Sequence, residues 1–516
     1  MLAVWINKAN FEYDVHSIVK AFYPEETVKV LTPETGEQKR QEFGAGVRLE
    51  IWLTDEGARL IDRGLSELPV KESEQEVTGQ AADWPEETGQ TVDTLNWQWD
   101  AESGDSYKDC FKRFLYQSLS KITGSELPWG NLTGIRPTKI AYSMLEQGKD
   151  DAEILEYLEK KHFVSSKKSQ LSIDIAKRER ELLSDIHYEK GYSLYVGIPF
   201  CPTTCLYCSF TSFAIGAYRK QVEDYIDCLI KEMDYVARRY AHKILDSVYI
   251  GGGTPTTLEA EQLDRLIGAL KEKFDFSQVK EFTVEAGRAD SITEDKLRVL
   301  YDHGVSRISI NPQTMKQETL DIIGRRHTVQ QVLEAYALAR KIGFDNINMD
   351  LILGLPGETA EDVSNTMAQV TDLAPDSLTV HSLAIKRASR LSQWIQEHGV
   401  STLRNTDETM EIAAAGAAAM GMEPYYLYRQ KNMSGNFENV GYAQPGKFGL
   451  YNILIMEEKQ TIVALGAGSI TKLVLPDGRI ERADNVKDVK LYIEKIEEMI
   501  ERKEQLFSLE TCCREE

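Results

Sequence analysis

Between residues 191 and 383, short apolar runs alternate with amphipathic stretches at helical spacing. The runs SLYVGI, DSVYIGG, EFTVEA, RISINPQ, INMDLILG and DSLTVHSL read as strands; segments such as QVEDYIDCLIKEMDYVARRY and AEQLDRLIGALKEKF read as helices. Six such alternations predict parallel βαβ units with right-handed crossovers, in a barrel-like or an open doubly wound sheet. The strands are apolar on both faces, as a helix-covered sheet requires. In such folds chemistry gathers at the carboxyl ends of the strands.

Outside this core the rhythm changes. Residues 1–70 mix strand-like and helix-like runs (LAVWI, VHSIVKAF, VRLEIWL) and predict a small α/β module. Residues 71–106 form an acidic, linker-like segment: from Glu72 to Ser106 there is no Lys or Arg. Trp84, Trp97 and Trp99 leave open the alternative that it drapes over a domain surface. A mainly helical connector is expected over 107–190, the main α/β domain over 191–395, and a small α+β capping domain over 396–516. The last contains an Ala-rich helix (EIAAAGAAAMGM), short strands YNILIM and TIVALG, a PDG turn and a charged terminal helix.

A chain of 516 residues exceeds one compact core, so two to four domains are expected. The start, MLAVWINKANFEYD, turns polar too soon for a secretory signal, and no apolar run approaches the roughly 20 residues of a membrane span. The expected location is the cytoplasm, where thiols stay reduced and clustered cysteines mean metal or catalysis. With 60 Lys and Arg against 82 Asp and Glu, a net charge of −22 argues against a general nucleic-acid binder. An anionic substrate would need a local basic pocket.

Three of the seven cysteines fall in GYSLYVGIPFCPTTCLYCSF, directly after the first strand: Cys201, Cys205 and Cys208. A [4Fe–4S] cluster has four irons, so three thiolates leave one iron open to a bidentate small molecule. Zinc would want a fourth Cys or His at ribbon-like spacing, which the sequence does not supply. Cys110 and Cys228 read as buried small apolar residues, and Cys512 and Cys513 as part of a mobile tail.

CPTTCLYC resembles the radical S-adenosylmethionine (SAM) signature. More narrowly, YVGIPFC, GGGTPTTL, FTVEAGR, RISINPQT, NMDLILGLPGE and ALGAGS, in order across roughly residues 190–475, are similar to the oxygen-independent coproporphyrinogen III oxidase family. LPWGNLTGIRPTK resembles its longer branch in Gram-positive bacteria, often called coproporphyrinogen dehydrogenase. The resemblance implies a partial (β/α)6 radical SAM barrel, a [4Fe–4S] cluster on Cys201, Cys205 and Cys208, and up to two SAM molecules. It places Tyr195 and Tyr207 against SAM, Gly252 and Glu285 on the cluster-bound molecule, and Gly253, Thr254, Gln313, Arg325 and Asp350 around a second. Asp350 lies mid-strand, where an unpaired carboxylate is costly, so a buried partner or ligand is expected. Lys386, Arg387 and Arg390 follow the last barrel strand and read either as a solvated helix start or as a basic patch for substrate propionates.

By that resemblance the reaction is radical decarboxylation of coproporphyrinogen III propionates to vinyl groups, giving protoporphyrinogen IX. The implied partners are the tetrapyrrole and a reduced flavodoxin- or ferredoxin-type electron donor. No catalytic side chain is expected beyond the cluster-bound SAM. LILGLPGET reads as architecture, and His327 and His381 as structural histidines. Two positions depart from the family: Ser209-Phe210 where some oxidases have a further cysteine, and Gly197 where His is common. The alternatives are a haem chaperone on the same fold, whose Asn-x-x-Tyr-Trp segment appears here as Asn439, Tyr442 and Ala443, and a radical SAM enzyme acting on another tetrapyrrole.

Overall fold

The computed structural model describes residues 1–35, 47–63, 93–134, 136–386, 389–399, 403–430 and 437–512. These divide into two compact units: Met1–Pro137 with Glu146–Ser172, and Thr138–Leu145 with Ile173–Glu516.

The first unit holds a five-stranded sheet of order β2-β1-β3-β4-β5, built from β1 (Leu2–Ile6), β2 (Val28–Leu31), β3 (Leu49–Leu53), β4 (Gly57–Asp62) and β5 (Asp93–Gln98). β2 and β3 run parallel to β1, and the two later pairs are antiparallel. Helices Glu12–Phe22 and Tyr107–Thr123 bury Val15, Ile18, Val19, Phe111, Leu115 and Leu119 in its core. Two expectations change here. Of the linker-like segment 71–106, residues 71–92 lie outside the described residues, but Asp93–Gln98 pairs with β4 and Trp97 stacks 6.0 Å from Phe114. The segment 107–190 is not one connector: its first helix carries an apolar stripe that belongs to this core, and the rest divides between the units.

The second unit is organised by an eleven-stranded sheet. Its centre is six parallel strands: β6 (Gly191–Ile198), β9 (Ile244–Gly252), β10 (Glu281–Gly287), β11 (Arg307–Ile310), β12 (Ile347–Leu353) and β13 (Ser377–Ser382). This is the expected partial (β/α)6 barrel, and it does not close on itself among the described residues. Two short strands, β7 (Phe200–Cys201) and β8 (Phe213–Ala214), pair separately. The amphipathic segments form helices, for example Val222–Arg239 and Ala260–Lys273.

The region 396–516 is not a separate cap. β14 (Glu423–Tyr428) and β15 (Asn439–Ala443) extend the sheet beyond β13, and β16 (Ile462–Leu465), β17 (Ile470–Val474) and β18 (Ile480–Asp484) extend it beyond β6. An uncovered sheet edge presents unpaired N–H and C=O groups, and these strands pair them. YNILIM, expected as a strand, lies in the helix Leu450–Glu457, where the Glu281 carboxylate accepts the Leu450 and Tyr451 N–H groups at the helix start. Among the described residues no helix is long and apolar enough to cross a membrane.

One buried carboxylate ties this extension to the barrel. Glu232, on the first crossover helix, accepts from Gly466 N (2.9 Å), Tyr492 Oη (2.6 Å), Asn485 Nδ2 (2.8 Å) and Lys503 Nζ (2.6 Å). The Lys503 and Glu232 side chains are 1% and 0% exposed.

Candidate cluster and cofactor site

Cys201 ends β7, and Cys205 and Cys208 follow on a loop pinned at several points. Leu206 N donates to Ile323 O (2.9 Å), Thr203 Oγ1 to Gly324 O (3.2 Å), Leu391 N to Leu206 O (3.0 Å), and the Arg390 guanidinium to Thr204 O. Thr254 Oγ1 lies 3.5 Å from Cys201 Sγ, Arg288 Nη1 3.8 Å from Cys205 Sγ, and Ser212 Oγ 3.8 Å from Cys208 Sγ. Burial pushes the Cys201 thiol up to about 11 and raises Cys208 as well, so a metal must displace protons to bind here. Cys110 is buried as expected; Cys228 is only half-buried, its Sγ 3.8 Å from Ile493 O.

The surroundings of the thiols fit an anionic, thiolate-held group. Two buried guanidiniums, Arg288 and Arg325, stand beside Cys205, and Arg325 Nε is buried with no hydrogen-bond partner. Among the described residues no three His, Cys, Asp or Glu side chains converge as ligands of a single ion. A cluster asks for less convergence, because each thiolate takes its own iron.

The glycine-rich turn after β9 is shaped by the protein itself. A Cβ on Gly253 would stand 2.5 Å from Phe200 O, and one on Gly251 would stand 2.7 Å from the Tyr249 ring. Gly253 N already donates to Ile198 O (2.8 Å) and Thr254 N to Phe200 O (2.7 Å). Gly252, at φ +110°, turns its N–H toward Glu285 and helps hold that carboxyl down, and a Cβ there would meet Tyr195 Oη at 3.0 Å.

Glu285 ends this row. Tyr249 Oη donates to its Oε1 at 2.5 Å, and Tyr249 stacks on Tyr451 (4.5 Å) and beside Tyr195 (6.2 Å). Burial, reinforced by Asp350, pushes the Glu285 carboxyl up to about 7 against the pull of the Tyr249 hydrogen bond. An acid raised on folding contributes stability that is complete below its unfolded value and lost as pH rises through its folded value. The metal-free chain is therefore expected to lose on the order of 3 kcal/mol between about pH 4 and 7 through this group. Denaturation midpoints of wild type and Glu285→Gln across that range check this; parallel profiles would refute it.

Gln313, just past β11, bridges to β12: Gln313 N donates to Asp350 O (2.9 Å) and Ile352 N to Gln313 O (2.9 Å). Gln313 has φ 67°. Among the described residues four non-glycine residues have positive φ, and the other three (Phe163, Ala374, Glu458) terminate helices, so among them Gln313 holds its strain within the site. Asp350 has the partners expected for it: Asn348 Nδ2 donates to Oδ1 (2.7 Å), and His381 Nε2 stands 3.9 Å from Oδ2. Burial would raise this carboxyl, but His381, Asn348 and Arg307 hold it below its ordinary value. Arg325 sits with the cluster loop, against Tyr207 and Cys205, and donates to Asn311 O (2.5 Å).

Of the basic patch, Lys386 is half-buried near Cys208; burial lowers its ammonium and Cys208 pulls it back up. Arg390 is exposed and clamps the Thr204 carbonyl; Arg387 lies outside the described residues. His327 is buried with neither ring nitrogen hydrogen-bonded, Nδ1 lying 3.8 Å from Asp290. Sequence reasoning missed Tyr249, Tyr451, Arg288 and the placement of His381. Tyr249 could have been found from the alternation in VYIGG, since it pairs in register with Tyr195, and Arg288 from its place at the end of FTVEAGR. Tyr451 arrives from a distant helix and leaves no such signal.

Residues 195–370 match the model of the radical SAM superfamily. The chain is 41% identical over 420 residues to the oxygen-independent coproporphyrinogen-III oxidase-like protein HemZ of Bacillus subtilis, covering 78% of this chain and 84% of that one. It is 32% identical over 281 residues to the haem chaperone HemW of Lactococcus lactis, covering 54% and 69%. In fold it is similar to the coproporphyrinogen III oxidase HemN of Escherichia coli, with a TM-score of 0.50 at 23% identity over 64% of this chain and 73% of that one.

Proposed function

The chain belongs to the oxygen-independent coproporphyrinogen-III oxidase-like family of radical SAM proteins, and on that premise we propose that it decarboxylates coproporphyrinogen III propionates to vinyl groups, giving protoporphyrinogen IX. The observation that carries this reading is the row of groups on successive strands of the sheet: the three thiols beyond β6, Gly252 at the end of β9, Glu285 near the end of β10, Gln313 just past β11, and Asp350 in β12 beside it. When bound, the cluster and SAM supply one-electron chemistry that removes a hydrogen atom from the propionate β-carbon. The chain's own residues position and shield. Tyr195, Tyr249 and Tyr451 wall the site, Glu285 offers a carboxylate to a cationic ligand, and Lys386 with Arg325 offers positive charge to a carboxylate. A reduced flavodoxin- or ferredoxin-type protein in the cytoplasm would be the electron source.

Against the chaperone alternative stand Asn439 and Tyr442, both buried in β15. Asn439 Oδ1 accepts from Ser382 N (2.9 Å), and Ala443 occupies the position of the chaperone branch's Trp. The test incubates the anaerobically reconstituted protein with SAM, a reductant and coproporphyrinogen III. Vinyl product is expected from wild type, with little haem retained. Arg325→Ala should lower turnover about 10- to 100-fold, the loss of a charge-assisted hydrogen bond of about 1.5–3 kcal/mol. Tight haem binding by a wild type that makes no vinyl product would favour the chaperone.

A further inference from the structure

Arg288 lies just beyond β10, in the bend that leads into the short helical turn Ala289–Ser291. Its side chain is almost wholly buried, and all three of its nitrogens donate hydrogen bonds. Nε donates to Asp290 Oδ1 (2.9 Å) and Nη2 to Asp290 Oδ2 (2.6 Å), a bidentate fork that fixes the plane of the guanidinium. The remaining arm, Nη1, donates to Thr203 O (3.0 Å) and Thr203 Oγ1 (2.8 Å) and reaches within 3.8 Å of Cys205 Sγ. Burial would raise the Asp290 carboxyl, but His327 and Arg288 hold it well below the ordinary range, so the anchor is an anion.

We infer that Arg288, aimed by Asp290, is a positioning residue that shapes the Cys201–Cys208 loop and raises the reduction potential of the cluster that loop holds. The inference rests on the cluster reading given above. Adding an electron to a thiolate-held cluster adds negative charge in a poorly solvated site. A permanent cation fixed beside one of the ligand sulfurs stabilises the reduced form more than the oxidised one. Hydrogen bonds and charges just outside the ligand sphere commonly set such potentials. Lysine does not reproduce the arrangement, because its point charge cannot grip Asp290 and Thr203 in one plane.

The experiment compares wild type, Arg288→Gln and Arg288→Lys after anaerobic reconstitution, scoring iron per chain, the electron paramagnetic resonance of the reduced cluster, and its midpoint potential. Arg288→Gln keeps a donor for Thr203 while removing the charge. It is expected to retain its iron and to have a potential more negative than wild type, with Arg288→Lys between the two. A wild-type potential in either iron-replete variant would overturn the inference. Loss of iron from both variants would assign Arg288 to loop folding alone and equally overturn the tuning role. A wild type that binds no cluster would instead overturn the cluster reading, so the two failures are distinguishable.

Discussion

Chains carrying Cys201→Ala, Cys205→Ala or Cys208→Ala are each expected to emerge from anaerobic reconstitution with almost no iron, against about four irons per chain in wild type. The reason is the number of anchors. A cluster with one iron left open for SAM depends on all three thiolates, and the described residues around the loop provide no other cysteine near it. Thr254, Arg288 and Ser212 each face one of the sulfurs, but none is a ligand that could replace a thiolate. Iron analysis and visible absorption check the result. Stoichiometric zinc on a fully folded chain prepared without iron would overturn the cluster assignment.

The largest effect on stability is expected from Lys503→Met. Lys503 and Glu232 are both fully buried, and the substitution leaves a carboxylate in the interior with Gly466 N, Tyr492 Oη and Asn485 Nδ2 as its remaining donors among the described residues. Breaking such a pair from one side costs about 3–5 kcal/mol, while replacing both members by neutral groups costs far less. The double variant Glu232→Gln/Lys503→Met should therefore recover most of the loss, a non-additivity read directly from denaturant midpoints. Equal losses in single and double variants would show that packing, rather than the buried charge, dominates. Because Glu232 also holds the Gly466 N–H, the loss reaches the ALGAGS turn beside β6.

The six parallel strands were legible because each is a short apolar run bracketed by turn residues, with an amphipathic helix between. The cluster loop was legible for a similar reason: all three thiols lie within eight residues of one another. What the sequence hid depends on partners far along the chain. YNILIM is apolar throughout, so its pattern fits strand or helix; the Glu281 carboxylate at its start decides for helix. β14 to β18 read as a separate cap because nothing local says that they pair with β13 and β6. The same limit applies to Tyr451, which joins the tyrosine stack only in the folded chain, and to His381, whose role depends on Asp350 in the neighbouring strand. Gln313 gave no sign of its left-handed backbone, since the residue usually found in that conformation is glycine.

The pairing of β6 with β16 also has a consequence in time. Ser193, in β6, donates to Gln460, 267 residues further along the chain. At about 5–20 residues per second, a ribosome needs tens of seconds to deliver that partner after β6 has emerged. Throughout that interval one edge of β6 is unpaired, and the three thiols hang from its far end in a nascent chain. The rate of translation between residues 201 and 465 therefore sets how long that edge of β6 stays unpaired.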